Sequence, residues 1–298
     1  ADDAQARRGV CAGAGPCHSR LRGGDPHGET ARMMGRALLG AIAAALITAL
    51  ARRLGTLDER GQWAAMACGV VAAAAGWPWA LLLVAYFVTA SAVTRLGAAR
   101  KAERTLRSVP QVRARDAFQV FANGGLFAVL AVQAGTAPES IWGVAAVGAL
   151  AAASADTWAT EIGTLWGGRP RSIVHWRHTA PGMSGGITAV GSLGAVAGAV
   201  LVALIAATAH RLPWSGLFVR AAAVGGIVGC IVDSLVGGTV QARRWCDRCK
   251  EYTERRVHPC SYRTVHVAGY RWITNDFVNT AATFAGAAAA VAARLFIR

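Results

Sequence analysis

The sequence predicts an all-α fold, a polytopic membrane bundle of about seven to eight spans. Three observations predict it. Hydrophobic residues make up 54% of the 298-residue chain, and mean hydropathy is +0.37. These residues gather into long runs rich in Gly and Ala, the composition of membrane helices that pack closely through small side chains. The charges fall between the runs, and the basic ones favour alternate loops, as the positive-inside rule requires.

The elements follow in order. Residues 1–32 contain Gly, Arg and Pro without an apolar period and cannot bury a core. They are expected to lie outside the fold, either disordered or as an upstream extension to a native start at Met33 or Met34. No apolar stretch among them makes a signal peptide. Residues 33–298 are expected to form the helical domain. The first span runs from Gly35 to Ala51, and a polar loop covers Arg52 to Gln62. Trp63 to Gly76 is a shorter apolar run, ended by Trp77-Pro78-Trp79, whose aromatics suit an interface. A third run spans Ala80 to Val93, and a strongly basic loop with Arg95, Arg100, Lys101, Arg104, Arg107, Arg113 and Arg115 follows. The fourth run, Phe118 to Ala134, carries Asn123 near its start. The fifth, from Ile141, leads into Ser154-Ala-Asp-Thr-Trp-Ala-Thr-Glu-Ile-Gly163. The sixth is Gly185 to Ala209, the seventh Gly216 to Gly238, and the eighth Phe277 to Ile297. A cysteine-bearing basic loop, 241–271, separates the last two.

The loops after spans one, three, five and seven hold nearly all the inter-span Arg and Lys. Eight crossings therefore place every basic loop on one side, the cytoplasmic side of a bacterial-type inner membrane. A re-entrant pair formed by runs two and three is the alternative, and it would move the N-terminus inside. The net charge of +15 and pI near 10.8 are accounted for by these loops. Membrane lipids and phosphate-bearing ligands are the expected partners, and nucleic acid is not.

The acidic turn after the fifth run carries the chemistry. An ionisable side chain at the bilayer centre costs about 3 kcal/mol or more, so it faces the bundle interior or water. If the helix continues, Asp156 and Thr160 share a face with Glu161 beside them. Further polar groups recur at the same ends of the runs: Asn123, Asp233, Asn275, Asp276 and Asn279. Asp276, Asn279, Thr280 and Thr283 have helical spacing and are expected on one face, while Asn275 or Asp276 alternatively caps the last helix. Pro181-Gly182-Met183-Ser184-Gly185-Gly186 precedes a helix, and its glycines let backbone amides turn toward an anion. Asp156, Glu161 and Asp233 are the candidate catalytic carboxylates, with Asp156 and Asp233 as ligands of Mg²⁺. Lys101, Asn123, Thr160, Gly182, Ser184, Gly185, Asn275, Asp276 and Asn279 are the candidate phosphate-binding residues. Carboxylates, Mg²⁺, a phosphate cradle and basic groups are the parts that phosphoryl transfer needs.

A second constellation lies in the 241–271 loop. Cys246-x₂-Cys249 followed by His258-x-Cys260 offers four ligands suited to a closed, structural Zn²⁺ site. His266 is a spare candidate, and His175 and His178 read as loop residues.

The runs TRLGAARK, QVFANGG, SADTWATEIG, PGMSGG, IVDSLVGGTVQ, the CDRC…HPC loop and NDFVNT occur in this order. Together they resemble the integral-membrane family of plant phytyl-phosphate kinase and animal transmembrane protein 19, from Gly35 to the C-terminus. The spacing D-x₃-T-E-x-G also looks like the acidic motif of membrane polyprenol kinases. Met183 departs from the family pattern, which implies Thr or Asn beside the first glycine of that loop. The resemblance implies an enzyme that phosphorylates an isoprenyl monophosphate to the diphosphate with CTP or another nucleoside triphosphate. A transporter of an anionic lipid or metabolite is the competing class, because intramembrane carboxylates and glycine-rich spans serve transport too. A transporter needs its polar site near midplane with a path to both faces, whereas here the carboxylates gather toward one face.

Overall fold

The computed structural model describes residues 26–105, 114–213, 216–258 and 260–296. Residues 1–25, Arg107, Arg113 and Ile297 lie outside them. The apolar runs fold as helices because each polar interruption supplies a cap for the next one. Asp58, Asp116, Ser140 and Thr188 each accept a hydrogen bond from the third backbone N–H that follows, at 2.7, 3.1, 3.2 and 2.9 Å.

The helices are α1 (Pro26–Arg53), α2 (Glu59–Ala75), α3 (Trp77–Arg95), α4 (Ala98–Thr105), α5 (Ala117–Ala134), α6 (Ile141–Trp166), α7 (Ala189–Ala209), α8 (Leu217–Thr239) and α9 (Asn275–Phe296). Among the described residues, six are long and apolar enough to cross a membrane: α1, α3, α5, α6, α7 and α8. Helix α2, with 17 residues, and α9, with 22, pack among them, so the bundle fits the expected count.

Long-range contacts fix the directions. The Trp79 indole donates to the Gly135 carbonyl at 2.9 Å, joining the start of α3 to the end of α5. Backbone bonds tie Arg115, ahead of α5, to Thr56 and Asp58, ahead of α2. Lys101, beyond α3, meets Glu161 near the end of α6. Helices α2 and α3 therefore run antiparallel along α5 and meet at Gly76, with α3 apolar and long enough to cross a membrane. The described residues of the 54–58, 96–116, 167–188 and 240–274 connections adjoin one end of the bundle; the last three carry basic residues, and Arg52 and Arg53 in the last turn of α1 precede the first.

Helix α6 is central and packs on α3, α5, α7, α8 and α9. From Gly143 to Ala155 every residue is buried, so the run is apolar on all faces apart from Ser154. Small residues permit this. A Cβ on Gly229 of α8 would lie 2.4 Å from the Cβ of Ala152, a contact that only glycine avoids.

Several boundaries differ from expectation. Helix α1 begins at Pro26, so Met33 falls inside a helix. Pro78 sits in the first turn of α3, where its missing N–H costs nothing, so Trp77-Pro78-Trp79 opens a helix instead of breaking one. Helix α7 starts at Ala189, not Gly185, because Gly186–Ile187 (β2) pairs antiparallel with Arg171–Ser172 (β1) and Thr188 takes the cap. The glycine turn is thus set off from the helix N-terminus. The 241–271 loop contains a three-stranded antiparallel sheet, β3 (Arg243–Cys246), β4 (Glu251–Thr253) and β5 (Val265–Ala268), in the order β4-β3-β5.

Candidate functional site

At the basic end of the bundle the helix ends enclose a cavity of about 800 Å³. The acidic turn forms one wall because α6 runs unbroken through it to Trp166. Lys101, Asn123, Asp156, Thr160, Glu161, Gly182, Ser184, Gly185, Asp233, Asn275, Asp276 and Asn279 all line this one space. They come from α4, α5, α6, α8, α9 and the 180–188 loop, which are far apart in sequence.

Asp156 on α6 and Asp233 on α8 line the same cavity and are close enough for their charges to interact. The Asp233 Oδ2 is buried and has no hydrogen-bond partner. A buried, orphaned carboxylate oxygen beside a second carboxylate is costly unless something positive meets it. Two facing carboxylates also match the number that Mg²⁺ takes from protein.

Glu161 is held differently. Its Oε2 is 2.6 Å from Lys101 Nζ, and Lys101 also donates to the carbonyls of Val93 and Thr94 at 3.0 and 2.6 Å. Both side chains are largely buried, at 8% and 21% exposure. Lys101 thereby closes the end of α3 and uses all three of its donors within the protein. Arg104, one turn on, donates to the Leu165 and Gly168 carbonyls at the end of α6. Helix α4 is thus a short amphipathic clasp across two helix ends.

The 180–188 loop is shaped by Gly185. Its φ is +79°, and a Cβ there would lie 2.4 Å from the Cα of Gly238. Glu254, just past β4, reaches into the cavity wall and accepts from the Ser184 N–H at 3.0 Å and from the Gln241 amide at 2.8 Å. Burial pushes its carboxyl above the ordinary range, and the bonds from Ser184 with nearby Arg243 and Gln241 hold part of that rise back.

Some expected roles fall elsewhere. Helix α9 starts at Asn275, so Thr274 is the flanking residue and neither Asn275 nor Asp276 is the cap. Thr280 and Thr283 do not line the cavity. Their hydroxyls bond backwards to the Asp276 and Thr280 carbonyls, and Thr283 is buried against α5. Sequence reasoning missed Arg115, Asp116, Gln119, Arg244, Glu254, Arg256 and Arg271 in the cavity wall. Nothing local marks Glu254, because its partner Ser184 is seventy residues away.

The other cluster is compact. The ligand atoms of Cys246, Cys249, His258 and Cys260 all lie within 4.8 Å of one another. The Sγ atoms of Cys246 and Cys260 are 3.7 Å apart, against the about 3.8 Å that tetrahedral Zn–S bonds of 2.3 Å would set. His258 Nδ1 is 3.1 Å from Cys260 Sγ. Burial acts to raise the Cys260 thiol, but hydrogen bonds from His258, the Tyr262 backbone and the neighbouring cysteines outweigh it and bring it down to about 6. Sharing that proton network with Cys260 first of all, Cys249 is pushed up to about 11. The cluster has the donors and spacing to hold a metal ion such as zinc. His266 is not part of it.

Comparison with known proteins agrees with this architecture. Residues 42–287 match the family described as Integral membrane protein DUF92. Protein PGR of Arabidopsis thaliana is 28% identical over 234 residues, which cover 71% of this chain and 81% of that protein. An uncharacterized membrane protein of Methanocaldococcus jannaschii is 31% identical over 173 residues, covering 56% of this chain and 67% of the relative. An uncharacterized membrane protein of Synechocystis is 25% identical over 229 residues, covering 74% and 76%. No solved structure matches. The matched region takes in α2 to α8 whole, with the last twelve residues of α1 and most of α9, and so the whole cavity and the cysteine cluster: the chain belongs to the DUF92 family of integral membrane proteins.

Proposed function

We propose that this protein is a membrane-embedded kinase that transfers a phosphoryl group from a nucleoside triphosphate, CTP favoured, to an isoprenyl monophosphate. The observation that carries the reading is the make-up of the large cavity. Paired carboxylates, a glycine-rich loop and arginines meet there, and Ala195, Val196, Ile227 and Ile231 of α7 and α8 form an apolar flank. Val196 and Ile231 are also exposed on the bundle surface, at 43% and 46%. An isoprenyl tail can therefore lie between α7 and α8 while its phosphate meets the polar wall.

In this reading an oxygen of the isoprenyl monophosphate attacks the terminal phosphorus of the nucleotide. The bond from that phosphorus to the bridging oxygen breaks, and the nucleoside diphosphate leaves. Asp156 and Asp233 would hold Mg²⁺, which supplies charge neutralisation when bound. Glu161 is oriented by Lys101 and sets the polarity of the wall beside them. The 182–185 turn, fixed by the Ser184 N–H bond to Glu254, would border the phosphates together with Asn123, Asn275 and Asn279. Thr160 and Asp276 complete the wall. The Cys246, Cys249, His258 and Cys260 cluster binds a structural Zn²⁺ that fixes the sheet over the cavity. The active face is cytoplasmic, in an inner membrane of bacterial type, because the basic loops surround the cavity and the nucleotide is soluble on that side.

The test is purified protein incubated with radiolabelled CTP or ATP and a panel of isoprenyl monophosphates. Label in the isoprenyl diphosphate supports the kinase. Flux of an anionic lipid across proteoliposomes without label transfer would replace it with the transporter.

A further inference from the structure

Beside the large cavity is a smaller pocket of about 380 Å³, lined by Arg244, Arg256, His266 and Arg271. Among the described residues, no carboxylate lines it. The sheet builds it. Arg244 on β3 is directly across from His266 on β5 in the antiparallel register, so the two side chains share a face. Arg256 is backbone-paired to Thr264, and Arg271 follows β5. Arg244 is fixed in place, donating from Nε to the Thr264 hydroxyl at 2.8 Å and from Nη2 to the Thr264 carbonyl at 3.0 Å.

Two features are unexplained by folding alone. Three guanidiniums are close enough to repel one another. Moreover, His266 Nε2 is buried and lacks a hydrogen-bond partner. Gathering like charges around an orphaned nitrogen costs stability unless an anion completes the set. Arg244, Arg256 and Arg271 also line the large cavity, so the two spaces adjoin through them.

We infer that Arg244, Arg256, His266 and Arg271 form a polyphosphate-binding pocket that takes the phosphate chain of the donor nucleotide and directs its terminal phosphate toward the Asp156–Asp233 wall. Arginine suits this because its planar fork binds phosphate oxygens in pairs. The inference rests on the kinase reading for the nucleotide, but the pocket's taste for polyphosphate does not. The sheet that bears it is held by the cysteine cluster. Arg244 and Arg256 each stand two residues before a cluster member, Cys246 and His258.

The experiment measures inorganic tripolyphosphate binding to the full chain in phosphatidylcholine nanodiscs, for the wild type and for Arg256→Ala/Arg271→Ala. Both arginines are exposed at the surface, so the fold should persist, and an unchanged unfolding temperature checks it. The expected result is a loss of about tenfold or more in affinity, with Arg220→Ala, an exposed arginine in the first turn of α8 outside both cavities, binding tripolyphosphate as the wild type does. Equal binding by the double variant, or none by the wild type, overturns the pocket. A double variant that weakens only on phosphatidylglycerol vesicles also overturns it, because a lipid headgroup is then the ligand. If the pocket binds tripolyphosphate as expected but no nucleotide yields labelled isoprenyl diphosphate, the pocket stands and the kinase reading fails.

Discussion

The Nζ of Lys101 stands 2.6 Å from Oε2 of Glu161, across sixty residues of chain. This contact joins the clasp helix α4 to the acidic turn of α6. It also converts a lysine that would suit a phosphate into one whose donors are already engaged. Lys101→Met should leave Glu161 as an uncompensated, largely buried charge and destabilise the protein by about 3 kcal/mol. Thermal unfolding in detergent reads this directly. Adding Glu161→Gln should recover most of the loss, since the double variant has no orphaned charge. A Lys101→Met protein as stable as wild type would show that the pair does not hold the turn.

Asp156→Asn should abolish turnover while the protein still folds, because the amide keeps the shape but loses the charge facing Asp233. Asp233→Asn should do the same. Turnover of labelled nucleotide, beside a size-exclusion profile, separates the two effects. Activity surviving in either variant would break the paired arrangement.

Gly185→Ala places a Cβ 2.4 Å from the Gly238 backbone at φ +79°. Neither the clash nor the left-handed backbone can relax cheaply, so a loss of about 2 kcal/mol or more is expected. Glu254→Ala should instead free the Ser184 amide and lower activity with a smaller stability change. Comparing unfolding temperatures and rates for the two variants tests this ordering.

Elemental analysis should find about one zinc per chain, lost in Cys246→Ser/Cys249→Ser. Protein prepared without chelators that carries no metal would refute the structural site. Loss of metal should also loosen the sheet that carries Arg244 and Arg256, measurable as faster proteolysis within 241–271.

Single cysteines at Ala137 and Arg169, in a cysteine-depleted background, flank opposite ends of α6. In intact cells an impermeant thiol reagent should label position 137 and spare 169. The reverse pattern would put the cavity on the outer face, where no soluble nucleotide is supplied.

The sequence by itself determined the membrane class, the order of the apolar helices and the grouping of basic loops, but it marked neither the start of α1 at Pro26 nor the short α4. Each depends on short-range properties: run length, side-chain polarity and the interval between breaks. It also marked Asp156, Asp233 and the four cysteine-cluster residues, because a carboxylate at the end of an apolar run and a C-x₂-C pair are visible locally. Tertiary structure decided the rest. Only the packing of α4 against α6 turned Lys101 toward Glu161. Only the close approach of Gly185 to Gly238 required a glycine there and set the turn apart from the start of α7. Only the fold of the 241–271 sheet brought Glu254 to Ser184 and gathered Arg244, Arg256 and Arg271. These contacts join residues tens of positions apart, and no local period encodes which distant partner a side chain meets once small residues let the helices close.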